Sequence, residues 1–151
     1  SKVDEQTIDR LCLKNSVPQR AVSRVKQALE LWSNSEIRQE ALAHDVVIAE
    51  SPFTLQVDSK YGNYVEGAID LLAYNKGSKD ALVVDYKTGD KGLSAAQIYE
   101  HHQMQANFYA YVLMQRGFTK VKCAFVCVEV EEAGQPHVAR YTFDVNHQPR
   151  L

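Results

Sequence analysis

The stretch LVVDYKTG at residues 82–89 ends an apolar run, greasy enough to be a buried strand, with an aspartate and a lysine two positions apart. In a strand, side chains at i and i+2 share a face, so Asp85 and Lys87 project together while Tyr86 turns to the other side. A buried charge is costly unless it is paired or bound to a metal. Two chemistries follow: a simple ion pair at a strand end, or part of a metal site. The pattern is weak by itself, since Asp58-Ser59-Lys60 repeats it in a polar turn with no apolar strand behind.

The flanking turns sharpen the choice. If NKGSKD turns near residues 77 and 78, the numbers of opposed antiparallel residues total about 155, which sets Asp70 across from Asp85 at a Cβ separation of about 4.5–5.5 Å. If the preceding turn is centred near residue 60, opposed numbers total about 120, and Glu50 faces Asp70. Glu50, Asp70 and Asp85 then form one row of carboxylates, a self-repelling arrangement that needs positive charge. Lys87 supplies one such charge. Hard carboxylate oxygens with an open coordination position suit Mg²⁺ or Mn²⁺, which keep water and accept phosphate oxygens. Such a site can hold an activated water for in-line attack on a phosphodiester, with the cation and lysine offsetting charge that develops in the transition state. The alternative is a salt-bridged sheet end without metal.

These residues need strands at their backs. Residues 1–44 read as helical: Val22, Val25, Leu29 and Trp32 share one face, Pro18 suits a first turn, and Ser33 with Glu36 resembles a capping box for a short helix from Glu36 to Ala43. From residue 45 the period becomes strand-like, in DVVIAESPFTLQV, where Pro52 suits an edge or bulge, and in YVEGAIDLLAY. ALVVDYKTG is a third strand, buried on both faces. Ser94 and Gln97 then cap a long helix that Gly117 closes. KVKCAFVCVEV reads as a central strand reached by crossover, and HVARYTFDV as the last. The expected fold is α/β, a mixed sheet of about five strands flanked by helices. Trp32, Phe108 and Tyr111 are expected to pack in the core. His101, four residues before Gln105 on one helical face, and its neighbour His102 lie within reach of the site, though a surface histidine is more often only solvated.

With 151 residues, 45% hydrophobic and 24% charged, the chain suits one globular domain, here 1–151. No apolar run reaches the roughly 18 residues of a membrane span, and SKVDEQTIDR lacks a signal peptide's pattern, so a cytoplasmic protein without a membrane partner is expected. Cys12, Cys123 and Cys127 are odd in number and form no CxxC pair, which argues against a disulfide framework or zinc finger. A net charge of −2 gives no overall basic footprint, so any nucleic-acid channel must be local or completed by another domain. No G-x-x-x-x-G-K-[ST] nucleotide loop occurs.

ESPF at 50–53, GAID at 67–70, VVDYKTG at 83–89 and QANFY at 105–109 together resemble the PD-(D/E)XK nuclease superfamily, in particular the C-terminal nuclease domain of RecB/AddA-type helicase–nucleases. The likeness spans roughly residues 45–130, and G-x-I-D followed by DYKTG is far more specific than DxK. It implies a restriction-endonuclease-like α-β-β-β-α-β core (45–145) behind the helical segment 1–44, cut from a larger helicase–nuclease. Asp70 and Asp85 would be metal ligands together with the backbone carbonyl of Tyr86. Lys87 would be the catalytic lysine, and Glu50 would occupy a common acidic position of the first strand. Gln105 and Tyr109, matching Q-x-x-x-Y, would border the site or meet DNA. The implied activity is Mg²⁺- or Mn²⁺-dependent DNA hydrolysis, exonucleolytic rather than endonucleolytic, in recombination and double-strand-break repair. The implied partners are DNA, helicase domains and a second subunit. Two features depart from the pattern. Residues 1–44 hold only His44 and no G-x-x-x-H motif, and Cys123 with Cys127 does not match the iron–sulfur branch, so no such cluster is expected. A silent DNA-binding or scaffolding module and a phosphohydrolase of small phosphate esters are the rival readings.

Overall fold

The computed structural model of the protein describes residues 18–58 and 63–146, together with Gln6 and Asp9. Helices α1 (Gln19–Ser33) and α2 (Glu36–Leu42) lead into strands β1 (Val46–Asp58), β2 (Asn63–Tyr74) and β3 (Asp80–Lys87). Helix α3 (Ala95–Gln115) crosses over to β4 (Lys120–Glu132), and β5 (Gln135–Asp144) follows. The five strands lie in chain order in one sheet. Only the β3–β4 pair, joined by the crossover helix, is parallel; the rest are antiparallel. This is the mixed, helix-flanked sheet that the sequence patterns predict.

Local chemistry explains the boundaries. Ser94 and Gln97 cap α3 reciprocally, side chain to backbone in both directions. At its other end Gly117 takes a left-handed φ of 101° and the Phe118 N–H reaches back to the Leu113 carbonyl. The cap of α2 differs from expectation. Ser35, not Ser33, accepts the Arg38 N–H, because Ser33 still belongs to α1. The Ser35 hydroxyl also donates to the Trp32 carbonyl at 2.6 Å, which ties the two helices together. Pro52 sits in β1, an edge strand, where its missing N–H costs no ladder bond.

Alternation along the strands divides the core into two layers. Val83, Cys123, Phe125 and Tyr141 face α3, whose buried stripe includes Ile98, Ala106, Tyr109 and Leu113. Leu82, Val84, Ala124 and Val126 face Ile37 and Ala41 of α2, with Trp32 of α1 against them. Val22, Val25 and Leu29 form a smaller cluster along α1, the face expected from their spacing. Tyr111 departs from expectation. It is 36% exposed on the outer side of α3, while Phe108 packs partly against the core. Cys123 and Cys127 are buried free thiols, and Cys12 lies outside the described residues, as do Ser59 and Lys60.

The first two strands share one irregularity. Val47 of β1 and Leu71 and Ala73 of β2 pack on the α1–α2 side, whereas Phe53 and Ile69, also odd-numbered, pack under α3. The inside–outside alternation therefore changes phase in both strands, and it does so at Glu50 and Asp70. Glu50 has a left-handed φ of 53°, and the ladder skips from Ala49–Leu71 to Ser51–Ile69. The ladder between β2 and β3 ends at Leu71–Val84, leaving Asp70 and Asp85 just beyond it where the strands diverge.

Candidate active site

Asp85 and Lys87 leave β3 on the α3 face, as their spacing requires. Asp85 is 4% exposed. Its Oδ2 accepts a 2.6 Å bond from the Tyr109 hydroxyl, and its Oδ1 lies 3.3 Å from Lys87 Nζ. Lys87 Nζ donates at 2.6 Å to Oε1 of Gln105, whose Nε2 donates at 2.8 Å to the Tyr109 oxygen. Four side chains from β3 and α3 thus close a ring of polar contacts. Gln105 and Tyr109 can both reach it because their i, i+4 spacing places them on one helical face. The Tyr109 phenol is driven far above its ordinary range, first by burial and then by its bond to Asp85.

Asp70 joins this ring from β2. Its Oδ2 accepts the Tyr86 N–H at 2.9 Å, occupying a backbone donor that β2 no longer pairs. Burial raises its carboxyl above the usual range; the Tyr86 N–H and Lys87 work against this, and neighbouring Asp85 adds to it. The Tyr86 ring lies on the opposite face, edge-on to Trp32 with centroids 4.8 Å apart. Its hydroxyl is pushed up to about 12, by burial and then by Asp70.

Glu50 is not drawn in. The partner numbers on either side of it do total 120, so the expected register holds. The left-handed backbone at Glu50 breaks the alternation that a flat row of three carboxylates needs, and its side chain is exposed. Among the described residues no three His, Cys, Asp or Glu side chains converge as a ready ligand set.

A second polar cluster lies beside the ring. His102 Nε2 and Asp90 Oδ2 are 2.8 Å apart, and the Cys127 thiol donates to the same oxygen at 3.5 Å. Asp90 is 3% and His102 6% exposed. The His102 ring stacks on Phe125 at 5.2 Å and 3°, and Lys87 Nζ sits 5.6 Å from the centre of that same ring. Of the two histidines expected near the site, His102 is therefore the buried one and His101 the exposed one. The signal was present in the helical spacing, since His102 falls midway between buried Ile98 and Ala106. For Asp90, no local pattern distinguishes it from a solvated loop aspartate.

The donor chemistry suits a hard divalent cation. Two carboxylates, one of them resisting ionisation, face a single ammonium that is shared with Gln105. An added cation would relieve this excess of negative charge. Asp70, Asp85 and the backbone carbonyl of Tyr86 are the protein atoms that would hold it, with water and phosphate oxygens as the remaining ligands.

Comparison with known proteins bears on this geometry. A family model described as the PD-(D/E)XK nuclease superfamily matches residues 2–148. No curated protein sequence matches. Among solved structures, a candidate exonuclease from Eubacterium rectale is similar at 16% identity with a TM-score of 0.54, covering 95% of this chain and 55% of that one. SSO0001 is similar at 18% identity with a TM-score of 0.48, covering 97% and 61%. Likeness at such identity concerns the fold, and the chain spans 55% and 61% of these two proteins' lengths. The family model, in contrast, runs through every element that carries the ring: the chain belongs to the PD-(D/E)XK nuclease superfamily.

Proposed function

We propose that this chain hydrolyses DNA phosphodiester bonds with Mg²⁺ or Mn²⁺ held by Asp70, Asp85 and the Tyr86 carbonyl, as the nuclease domain of a longer RecB/AddA-like helicase–nuclease. The observation that carries the proposal is the closed ring of Asp85, Lys87, Gln105 and Tyr109 with Asp70 beside it. When bound, the cation polarises the phosphoryl group and lowers the pKa of water. The protein's own groups set the geometry. The Tyr109 hydroxyl and Lys87 fix both oxygens of Asp85, and the Tyr86 N–H fixes one oxygen of Asp70. Gln105 restrains the Lys87 ammonium, so that it meets a phosphate as a pre-oriented charge and offsets what develops in the transition state. Glu50, on the exposed bend, is left an accessory role at most. The parent helicase is supported by the DYKTG resemblance.

The test is cleavage of end-labelled single- and double-stranded DNA in Mn²⁺ and Mg²⁺. Lys87→Ala and Asp85→Ala are each expected to lower kcat by a factor of about 10² or more while the fold is retained. Product lengths separate exonucleolytic from endonucleolytic cutting. A parent chain that neither cuts nor binds Mn²⁺ would sink the catalytic reading and favour the silent module.

A further inference from the structure

An open groove of about 570 Å³ leads away from Lys87 between α3 and the segment Thr88–Asp90. Its two walls differ in chemistry. One is Met104 and Phe108, at i and i+4 on α3, each immediately preceding a residue of the catalytic ring. Met104 is 65% exposed, so its thioether faces the groove rather than the core. Phe108 is backed by Phe53, ring centres 5.7 Å apart, so its position is fixed. The other wall is backbone. Gly89 holds a φ of 86°, and a Cβ there would find no atom within 4 Å, so this side is open to an incoming group. That wall is anchored by the buried Asp90–His102 contact at 2.8 Å. Lys87 lies at the inner end and exposed His101 also lines the groove.

We propose that Met104 and Phe108 form a stacking platform for the nucleobase next to the scissile phosphate, so that the strand being cut must present an unstacked base at that position. The proposal rests on the nuclease reading and adds to it the group that selects how the strand is presented. Size and chemistry favour this occupant. The volume falls in the range of small-ligand clefts, about 300–1,000 Å³, which suits a single base. A polarisable thioether and an aromatic ring offer a sequence-tolerant face to any base, while Lys87 and His101 complement its phosphates.

Two measurements on the whole chain separate this proposal from the reading it rests on. In the first, a single abasic residue is moved along a short oligodeoxythymidylate cut in Mn²⁺. KM is expected to rise roughly tenfold at one position relative to the cut, with kcat unchanged. Met104→Ser, a surface change that leaves the fold intact, should flatten that positional effect; Phe108→Leu, which keeps core volume, should do the same. In the second, 2-aminopurine replaces one base at a time, and its fluorescence should change at one or two positions only, less so in Met104→Ser. Cleavage with equal tolerance of an abasic residue at every position overturns the platform and leaves the nuclease reading standing. A localised fluorescence change without cleavage keeps base binding in the groove and removes the hydrolytic reading. Uniform fluorescence, unaffected by Met104→Ser, overturns the platform by itself.

Discussion

Asp85 is nearly without solvent, and its carboxylate is held by the Tyr109 hydroxyl and Lys87, each at a different oxygen. Tyr109→Phe removes one of these donors and leaves a buried carboxylate oxygen unpaired. A loss of about 1–3 kcal/mol is expected, read as a lower urea midpoint at unchanged m-value, with a weaker metal site alongside. Asp70 acts in the opposite sense. Its carboxyl is raised above the ordinary value by burial and by Asp85, so its favourable contribution is complete below the unfolded value near 3.8 and is lost as pH rises through the folded value. At neutral pH without metal, ionised Asp70 therefore weakens the fold. Asp70→Asn keeps an acceptor for the Tyr86 N–H and is expected to melt higher than the parent in chelator at pH 7. Solvent screening of this partly buried group keeps the gain small, and it should vanish as pH falls towards the unfolded value near 3.8. A parent that melts higher than Asp70→Asn at neutral pH in chelator would contradict this account.

At the scale of elements, the bend of β1 and β2 decides the shape of the site. Phe53 lies opposite Gly67 in the ladder, and its ring fills the place of the missing side chain: a Cβ on Gly67 would stand 2.8 Å from Phe53 Cζ. The same ring meets Tyr109 edge-on at 6.2 Å and backs Phe108. Glycine at this position thus lets an edge strand support the helix that completes the ring. Gly67→Ala is expected to cost about 1–3 kcal/mol by overpacking, seen in thermal melts, and to loosen Tyr109. Removing the ring in the double variant Gly67→Ala/Phe53→Leu should recover part of that loss; equal or greater destabilisation would show that the contact is not the cause.

On the scale of the whole molecule, the ring sits where β2 and β3 diverge and α3 crosses above, so three successive elements must be packed together for it to exist. Metal binding should therefore couple to global stability. Mn²⁺ at 100 times its dissociation constant is expected to add about 2.7 kcal/mol, and Asp85→Asn should abolish the gain; no Mn²⁺-dependent rise in the parent would remove the metal from the proposal. On the proposed nuclease reading, a net charge of −2 requires the attraction for DNA to come from local groups such as Lys87 rather than from a broad basic face. Among the described residues, no helix is long and apolar enough to cross a membrane.

Much of this was legible in the residues because it depends on local rules. The period of two puts Asp85 and Lys87 on one face, the turn at residues 77 and 78 sets the register that brings Asp70 to Asp85, and the spacing of Gln105 and Tyr109 puts them on one helical face. The cap at Ser94 and the crossover to a parallel β4 follow from equally local patterns. Other features depend on contacts between segments far apart in the chain. The left-handed bend that turns Glu50 outward leaves no mark in the local pattern of β1, and Ser35 rather than Ser33 caps α2 because α1 runs on to Ser33. Asp90 finds His102 and Cys127 only once a loop, a helix and a strand have met. By itself, the sequence determined which groups share a face and which strands are neighbours, since periodicity and turn geometry are properties of short stretches. Only the tertiary structure decided which of those groups touch and which carboxylate stays outside, because that depends on where α3 settles on the sheet.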